Sequence, residues 1–559
     1  MRKWSKSISR FHLVWLLLAI STIAMSFTVS AATFSLSEDT SYYTVDTGGG
    51  LVFKIRRTNP SAGTQSAGDI ASLVYNDVQY QDQTRGSQLN VGANGLYSST
   101  SDVTVSAEEV DSTYIKITVV AGDLTHYYIA KSGEPRIYMA TVFDSEPSLG
   151  LVRYIVRIPN SVLPNGPEAS NIIDETSTVE ASDVFGLDDG QTRSKHYSNQ
   201  RLKDWNYIGA TGDDVGIWIV RNNSEGMSGG PFYRSLLNQG ASDQEITYII
   251  NYGMAQTEDY RTGILNTYTM VFTDGDNPPE SIDTSWMSAL DLKDYVASSA
   301  RGEVDGEVSG QFTPASFDYT VGFSNSTAQY WADVSASDGS FAATDLLPGD
   351  YTMSIYKNEL VVGTQSVTVS AGGVTDAGTF SVTDDPQSTT ALWRVGNWDG
   401  SPAELLNGSL VTYMHPSDTR MSSWTPSDFV VDESTAAGSF PAYQWMDVNN
   451  PIVVRFNLTS DQIVASQVRI GVTMAYLSAR PRIAVNSWTS SYSSAPDQPD
   501  TRSLTIGTYR GNNQTYTFTV PASALVVGEN EMQISLVSGE SGSGYLSPGV
   551  AYDAVDLIQ

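Results

Sequence analysis

The chain has 559 residues, with 31 Lys or Arg against 62 Asp or Glu, a net charge of −31, and no cysteine. An apolar fraction of 40% with 17% charged residues supports packed cores and excludes wholesale disorder. The negative field disfavours nucleic acid or an anionic membrane as a general partner, and the lack of Cys excludes disulfide scaffolds, Cys-ligated zinc and thiol nucleophiles together.

Residues 1–31 read as a secretory signal. Arg2, Lys3, Lys6 and Arg10 form a basic start, Phe11 to Phe27 is apolar, and Val29 and Ala31 place small residues before a cleavage point after Ala31 or Ala32. An uncleaved anchor is the alternative, but the run is short for a span, and no later stretch approaches ~18 apolar residues. The mature chain is expected to be secreted, extracellular and soluble, held together by core burial alone.

Residues 32–300 alternate at period two, as in Thr113–Val119 and Leu151–Arg157, with turn clusters such as Val91–Gly95 between the runs. This predicts one large β-sandwich, with a single helix over Thr284–Val296 started by Asp283. Residues 301–384 hold short strands, and Leu346-Leu347-Pro348-Gly349-Asp350-Tyr351 turns into an alternating strand, a pattern of the fibronectin-III kind. The polar, Pro-containing stretch 385–390 reads as a linker. Residues 391–559 form a third β unit with strands such as Pro451–Phe456 and Thr515–Val520, so the fold class is all-β.

Basic residues are sparse, yet Arg193, Lys195, Arg201 and Lys203 fall within eleven positions, interleaved with His196 and Tyr197. A solvated turn would look the same. If the stretch is extended, Arg193 and Lys195 share a face and His196 points the other way. A guanidinium beside an ammonium disfavours the charged amine, one way a lysine becomes a usable base near neutral pH.

Several strings then resemble the fungal-type rhamnogalacturonan lyases of polysaccharide lyase family 4. They are Thr192-Arg193-Ser194-Lys195, Ser228-Gly229-Gly230-Pro231-Phe232, Gln256-Thr257-Glu258-Asp259-Tyr260-Arg261 and the run Met414 to Trp424, and the likeness covers nearly the whole mature chain. The resemblance implies a galactose-mutarotase-like catalytic β-sandwich, a fibronectin-III-like domain and a jelly roll resembling carbohydrate-binding modules. It implies a monomeric endolyase that cleaves the rhamnose-galacturonate backbone of rhamnogalacturonan I, a pectic polysaccharide of plant cell walls, by β-elimination. By motif position Lys195 is the implied base, and Arg153, Arg193 and Tyr260 are implied substrate contacts. Read alone, Arg153 is a polar-face strand residue. No catalytic cofactor or metal is implied, and structural calcium is left open.

The sequence departs from the family pattern at the second catalytic residue. Where the family has histidine, this chain has Met254, and a thioether neither donates nor takes a proton. A second expected histidine is Leu265, although Tyr268 follows. His126 reads as a structural histidine and His415 belongs to the third domain, so Tyr197, Tyr252 and Tyr260 are the alternative acids. Losing a general acid costs about 10²–10⁴-fold in rate. A non-catalytic pectin-binding relative is therefore the competing reading. Trp398, Trp424, Trp445 and Trp488 could stack on sugars there, or fill a core.

Overall fold

Strand formation follows the alternation seen in the sequence. In Leu151–Pro159 the residues Val152, Tyr154, Val156 and Ile158 join the core of the first domain, while Arg153, Ile155 and Arg157 take the opposite face. The computed structural model describes residues 33–60, 65–91, 94–95, 103–146, 151–252, 260–310, 317–426, 428–432, 436–498, 501–507 and 511–559. The expected signal segment and Met254 lie outside them. No helix among the described residues is long and apolar enough to cross a membrane.

The first domain is built on antiparallel sheets. Seven strands run in the order Tyr207–Gly212, Val215–Arg221, Asn266–Thr273, Arg136–Phe143, Leu124–Lys131, Tyr114–Ala121 and Val103–Glu109. A second sheet places Leu151–Pro159 between Asp243–Tyr252 and Gln88–Val91. A third carries Tyr42–Asp46, Leu51–Arg56 and Ile70–Tyr75. Their inner faces share one core that includes Phe53, Leu73, Ile117, Met139, Val156, Ile246 and Met270. A separate three-stranded sheet of Ser177–Glu180, Val184–Gly186 and Thr192–Arg193 projects toward the third domain.

The second domain packs a three-stranded sheet on a four-stranded one around Val304, Phe323, Met353 and Ile355. Glu225 of the first domain ties it down, accepting hydrogen bonds from Arg301 Nη1 (2.7 Å) and the Tyr330 hydroxyl (2.5 Å). The third domain is a jelly-roll-like pair of five-stranded sheets. In one of them Gly549–Ile558 is central, pairing with Ala391–Gly396, Tyr443–Trp445 and Ser466–Tyr476. Trp398 and Trp445 are fully buried and Trp424 nearly so, while Trp488 packs partly buried against the same core. Trp398, Trp424 and Trp445 are therefore core residues, and Trp488 is half-buried.

One expectation about local structure is corrected. Thr284–Val296 is not a helix: a 3-10 turn covers Ser285–Ala289, and Asp291 and Asp294 then adopt positive φ (49° and 57°). Trp286 stacks on Tyr114 at 4.8 Å, so packing of one aromatic overrides a weak helical preference. Residues 385–390, expected as a linker, are pinned from both sides. Lys357 Nζ binds Asp385 at 2.6 Å in a buried pair, and Arg394 and Arg469 donate to the Thr389 and Pro386 carbonyls.

Candidate active site

The basic stretch around Lys195 falls on the seam between the first and third domains. Thr192–Arg193 is a short strand, and the chain then turns into a 3-10 segment, Lys195–Ser198, started by Ser194, whose side chain accepts from the His196 N–H. The segment is therefore not extended, and the expected alternation of Arg193 and Lys195 against His196 does not occur. The Arg193 guanidinium faces Glu168 (3.4 Å) and the Thr192 carbonyl (3.3 Å), while Lys195 Nζ binds Asp183 Oδ1 at 2.9 Å. The two cations thus go to separate carboxylates, and Arg193 is tied up beside the turn rather than stacked on Lys195.

Arg153 belongs to another element. It lies on the outward face of Leu151–Pro159, opposite Ile249 and next to a bulge, half-buried, and its charge acts on His196. Its neighbour on that face, Arg157, is held by Glu245 (3.3 Å) and the Gly86 carbonyl (2.8 Å). Lys195, His196 and Asp183 thus come together at the turn, and Arg153 acts on it electrostatically from a third stretch of chain.

His196 is buried, with Nδ1 lacking a hydrogen-bond partner. Burial, reinforced by Lys195, Arg502 and Arg153 and opposed by Asp183, pushes its imidazole down to about 3, so it is neutral at ordinary pH. Burial pushes the Asp183 carboxyl up, but Lys195 and Arg502 outweigh this and hold it below the usual carboxylate range. On a chain of charge −31 the site gathers Lys195, Arg193, Arg502 and Arg420, each paired with a carboxylate.

The third domain frames the turn. Asp418 accepts from the Thr192 N–H (2.6 Å) and hydroxyl (2.8 Å), and the same hydroxyl accepts from the His415 N–H (3.0 Å). Arg420 donates to Asp418 through Nε and Nη2, both at 2.8 Å. Arg502 donates to Glu180 Oε1 (2.8 Å) and to Asp183, and His415 Nε2 meets Glu180 Oε2 at 3.0 Å. Two glycines allow the fit. Gly190, at φ 80°, leaves no room for a Cβ against Thr419, and Gly507, at φ 58°, ends the helical turn Ser503–Ile506 hard against Thr412.

Beside the turn lies a hollow of ≈ 570 Å³ lined by Glu168, Tyr197, Ser198, Trp205, Tyr207 and Trp218. Trp205 and Tyr207, and Tyr207 and Trp218, meet edge to face at 5.5 and 5.6 Å. The sequence reading missed these rings. The signal was a Trp-x-Tyr pair two residues past Lys203, which nothing in a single sequence sets apart from core aromatics.

Other predicted residues lie elsewhere. Tyr260 belongs to the core of the first domain, edge-on to Phe143 at 5.8 Å, and burial holds its hydroxyl well above the phenolic range. Its ring lies in the core and its hydroxyl is buried. Tyr197 is buried with its hydroxyl on the Thr505 carbonyl (3.2 Å). Leu265 packs against Tyr127 and Met287, and His126 is buried with Nδ1 on Thr141 Oγ1 (2.9 Å), its imidazole pushed down to about 3 by burial. Met254, with Gln256 to Asp259, lies outside the described residues. Among the described residues no group of three or more His, Asp or Glu is placed to hold a metal ion.

Comparison with known proteins covers all three domains. Residues 34–294 match the family described as rhamnogalacturonan lyase B, N-terminal, and residues 304–377 and 391–557 match domains II and III of polysaccharide lyase family 4. Rhamnogalacturonate lyase A of Aspergillus aculeatus is 38% identical over 97% of this chain and 99% of its own length. Rhamnogalacturonate lyase A of Emericella nidulans is 38% identical over 95% of this chain and 97% of its own. With matches in all three domains and 38% identity over 97% of its length, the chain belongs to the rhamnogalacturonan lyases of polysaccharide lyase family 4.

Proposed function

We propose that the chain is a secreted endolyase acting on rhamnogalacturonan I, with Lys195 as the base and Arg153 as the grip on galacturonate. The observation that supports this reading is that Lys195 and Arg153, from separate elements, both act electrostatically on His196, in a turn held by Asp183 and by the third domain. β-Elimination removes the C5 proton of galacturonate, expels O4 and leaves a 4,5-unsaturated end. That proton is weakly acidic, so the carboxylate must be neutralised and the enolate-like charge stabilised. A guanidinium does both through two parallel hydrogen bonds.

The C5 hydrogen and O4 of galacturonate are both axial, on opposite faces of the ring. A donor to O4 therefore approaches from the side away from the base, and His196, adjoining Lys195 and neutral, does not fill that role. Met254 stands where the family has histidine and supplies no proton, so O4 departs to another group or to water, at some cost in rate. The hollow floored by Trp205, Tyr207 and Trp218 offers a stacking surface to a flanking sugar.

The test follows ultraviolet absorbance of the unsaturated product from rhamnogalacturonan I and from homogalacturonan, with the native protein, Lys195→Ala and Met254→His in parallel. Product from rhamnogalacturonan I alone, abolished in Lys195→Ala, is the expected result. No product from the native chain, with product appearing in Met254→His, would favour the second reading, a pectin-binding relative that has given up turnover.

A further inference from the structure

We propose that Arg502 of the third domain is a positioning residue of the catalytic site: it bridges Glu180 and Asp183, and through Asp183 it fixes Lys195. The proposal rests on the assignment of Lys195 as the base.

The two carboxylates flank a hairpin turn between Ser177–Glu180 and Val184–Gly186, closed by the Asp183 N–H on the Glu180 carbonyl (2.9 Å). The turn residues are Ala181 and Ser182, both at positive φ (48° and 56°). Such a turn ordinarily takes Asn-Gly, because L side chains rarely adopt that conformation. Strained backbone of this kind persists where the surroundings over-determine it. Here it aims two like charges at a single point, and one guanidinium, with its planar fork of donors, answers both.

Glu180 is the anchor. Its side chain is 2% exposed, and it is satisfied by Arg502, by His415 Nε2 and by the Thr505 hydroxyl (3.1 Å), all from the third domain. Asp183 is the shared member, accepting from Arg502 on one side and binding Lys195 on the other. Arg502 is itself immobilised. It precedes the helical turn Ser503–Ile506, whose Ile506 packs against Val184 and Tyr197. The Nζ of a lysine on a flexible four-carbon stem thereby acquires a fixed position beside Asp183, set by a residue more than three hundred positions away in sequence.

The experiment compares initial rates of unsaturated product for the full chain and for Arg502→Met, Arg502→Lys, Asp183→Asn, the double variant Asp183→Asn/Arg502→Met, and Lys195→Ala. A loosened base costs turnover rather than binding, so kcat of Arg502→Met should fall by roughly 10–100-fold with KM nearly unchanged. Arg502→Lys should recover part of the loss. Because Arg502 acts through Asp183, the double variant should be no slower than the slower single one. A folded Arg502→Met with native kcat, or losses that multiply in the double variant, would overturn the proposal. If Arg502→Met does not fold, Arg502→Lys and Asp183→Asn, the latter keeping the Arg502–Glu180 contact, decide by the same kcat criterion. Lys195→Ala at the native rate would instead remove the base assignment, and this inference with it.

Discussion

Replacing Asp418 by alanine tests whether the third domain holds the catalytic turn. The carboxylate is buried and accepts two hydrogen bonds from Thr192, at 2.6 and 2.8 Å, and three from Arg420, at 2.8, 2.8 and 2.9 Å. Burial raises its pKa, but the hydrogen bonds from Arg420 and Thr192 more than reverse this and leave it at about 2, against an ordinary 3.8. Removing the carboxylate orphans the buried N–H and hydroxyl of Thr192, at about 1–3 kcal/mol each, less whatever entering water recovers. A loss of roughly 2–4 kcal/mol in stability follows. Because the folded pKa is depressed, this contribution is present in full above pH 3.8 and is lost as pH falls toward 2. Denaturant unfolding at pH 6 measures the loss, and lyase rates on the same samples show whether the Lys195 turn loosens, with kcat expected to fall well below native. Asp418→Asn keeps one acceptor oxygen and should be intermediate. Native stability together with native kcat in Asp418→Ala would refute the idea that this seam fixes the turn.

Three further outcomes are expected. Burial, with Glu404 nearby, raises the Asp399 carboxyl to about 7, so the folded protein binds a proton there that the unfolded chain has shed, and stability of the third domain should decline from pH 4 to pH 7; Asp399→Asn should flatten that slope in thermal scans. Trp445→Ala should cost about 3–5 kcal/mol, measured by chemical unfolding, because the ring is fully buried, and should do so without selectively weakening glycan binding by the folded fraction. Arg153→Met should lower kcat/KM by roughly 10²–10³-fold on the polymer, and Arg153→Lys should restore only part of it, since an ammonium lacks the two-pronged grip.

The architecture was readable from local pattern. Alternation at Thr113–Val119 and Leu151–Arg157 gives strands whatever their partners, and the Pro348-Gly349 turn marks the second domain without reference to the first. What failed depends on distant packing. Thr284–Val296 has a capping start and apolar spacing, but Trp286 goes to Tyr114 and two aspartates break the backbone. Tyr260 sits within a string that resembles a site motif, yet its ring is in the core. The strings around Lys195 and His415 were both visible as unusual, while their mutual contact was not, because a hydrogen bond between residues 192 and 418 leaves no period in the sequence. Asp183, Glu180 and Arg502 were missed for the same reason: a charged residue in a turn looks the same whether it meets water or another domain.

The central place of Gly549–Ile558 in the third domain has a consequence for the order of events during folding. That strand joins three others, and until it does the sheet supporting the seam is incomplete. Contacts so far apart in sequence close late, because loop entropy must be overcome first. Lys195 can be made, and the first domain can collapse around Phe53 and Ile246, while the lysine still lacks its frame. The framing of Lys195 by the third domain is therefore expected to arrive as a late step.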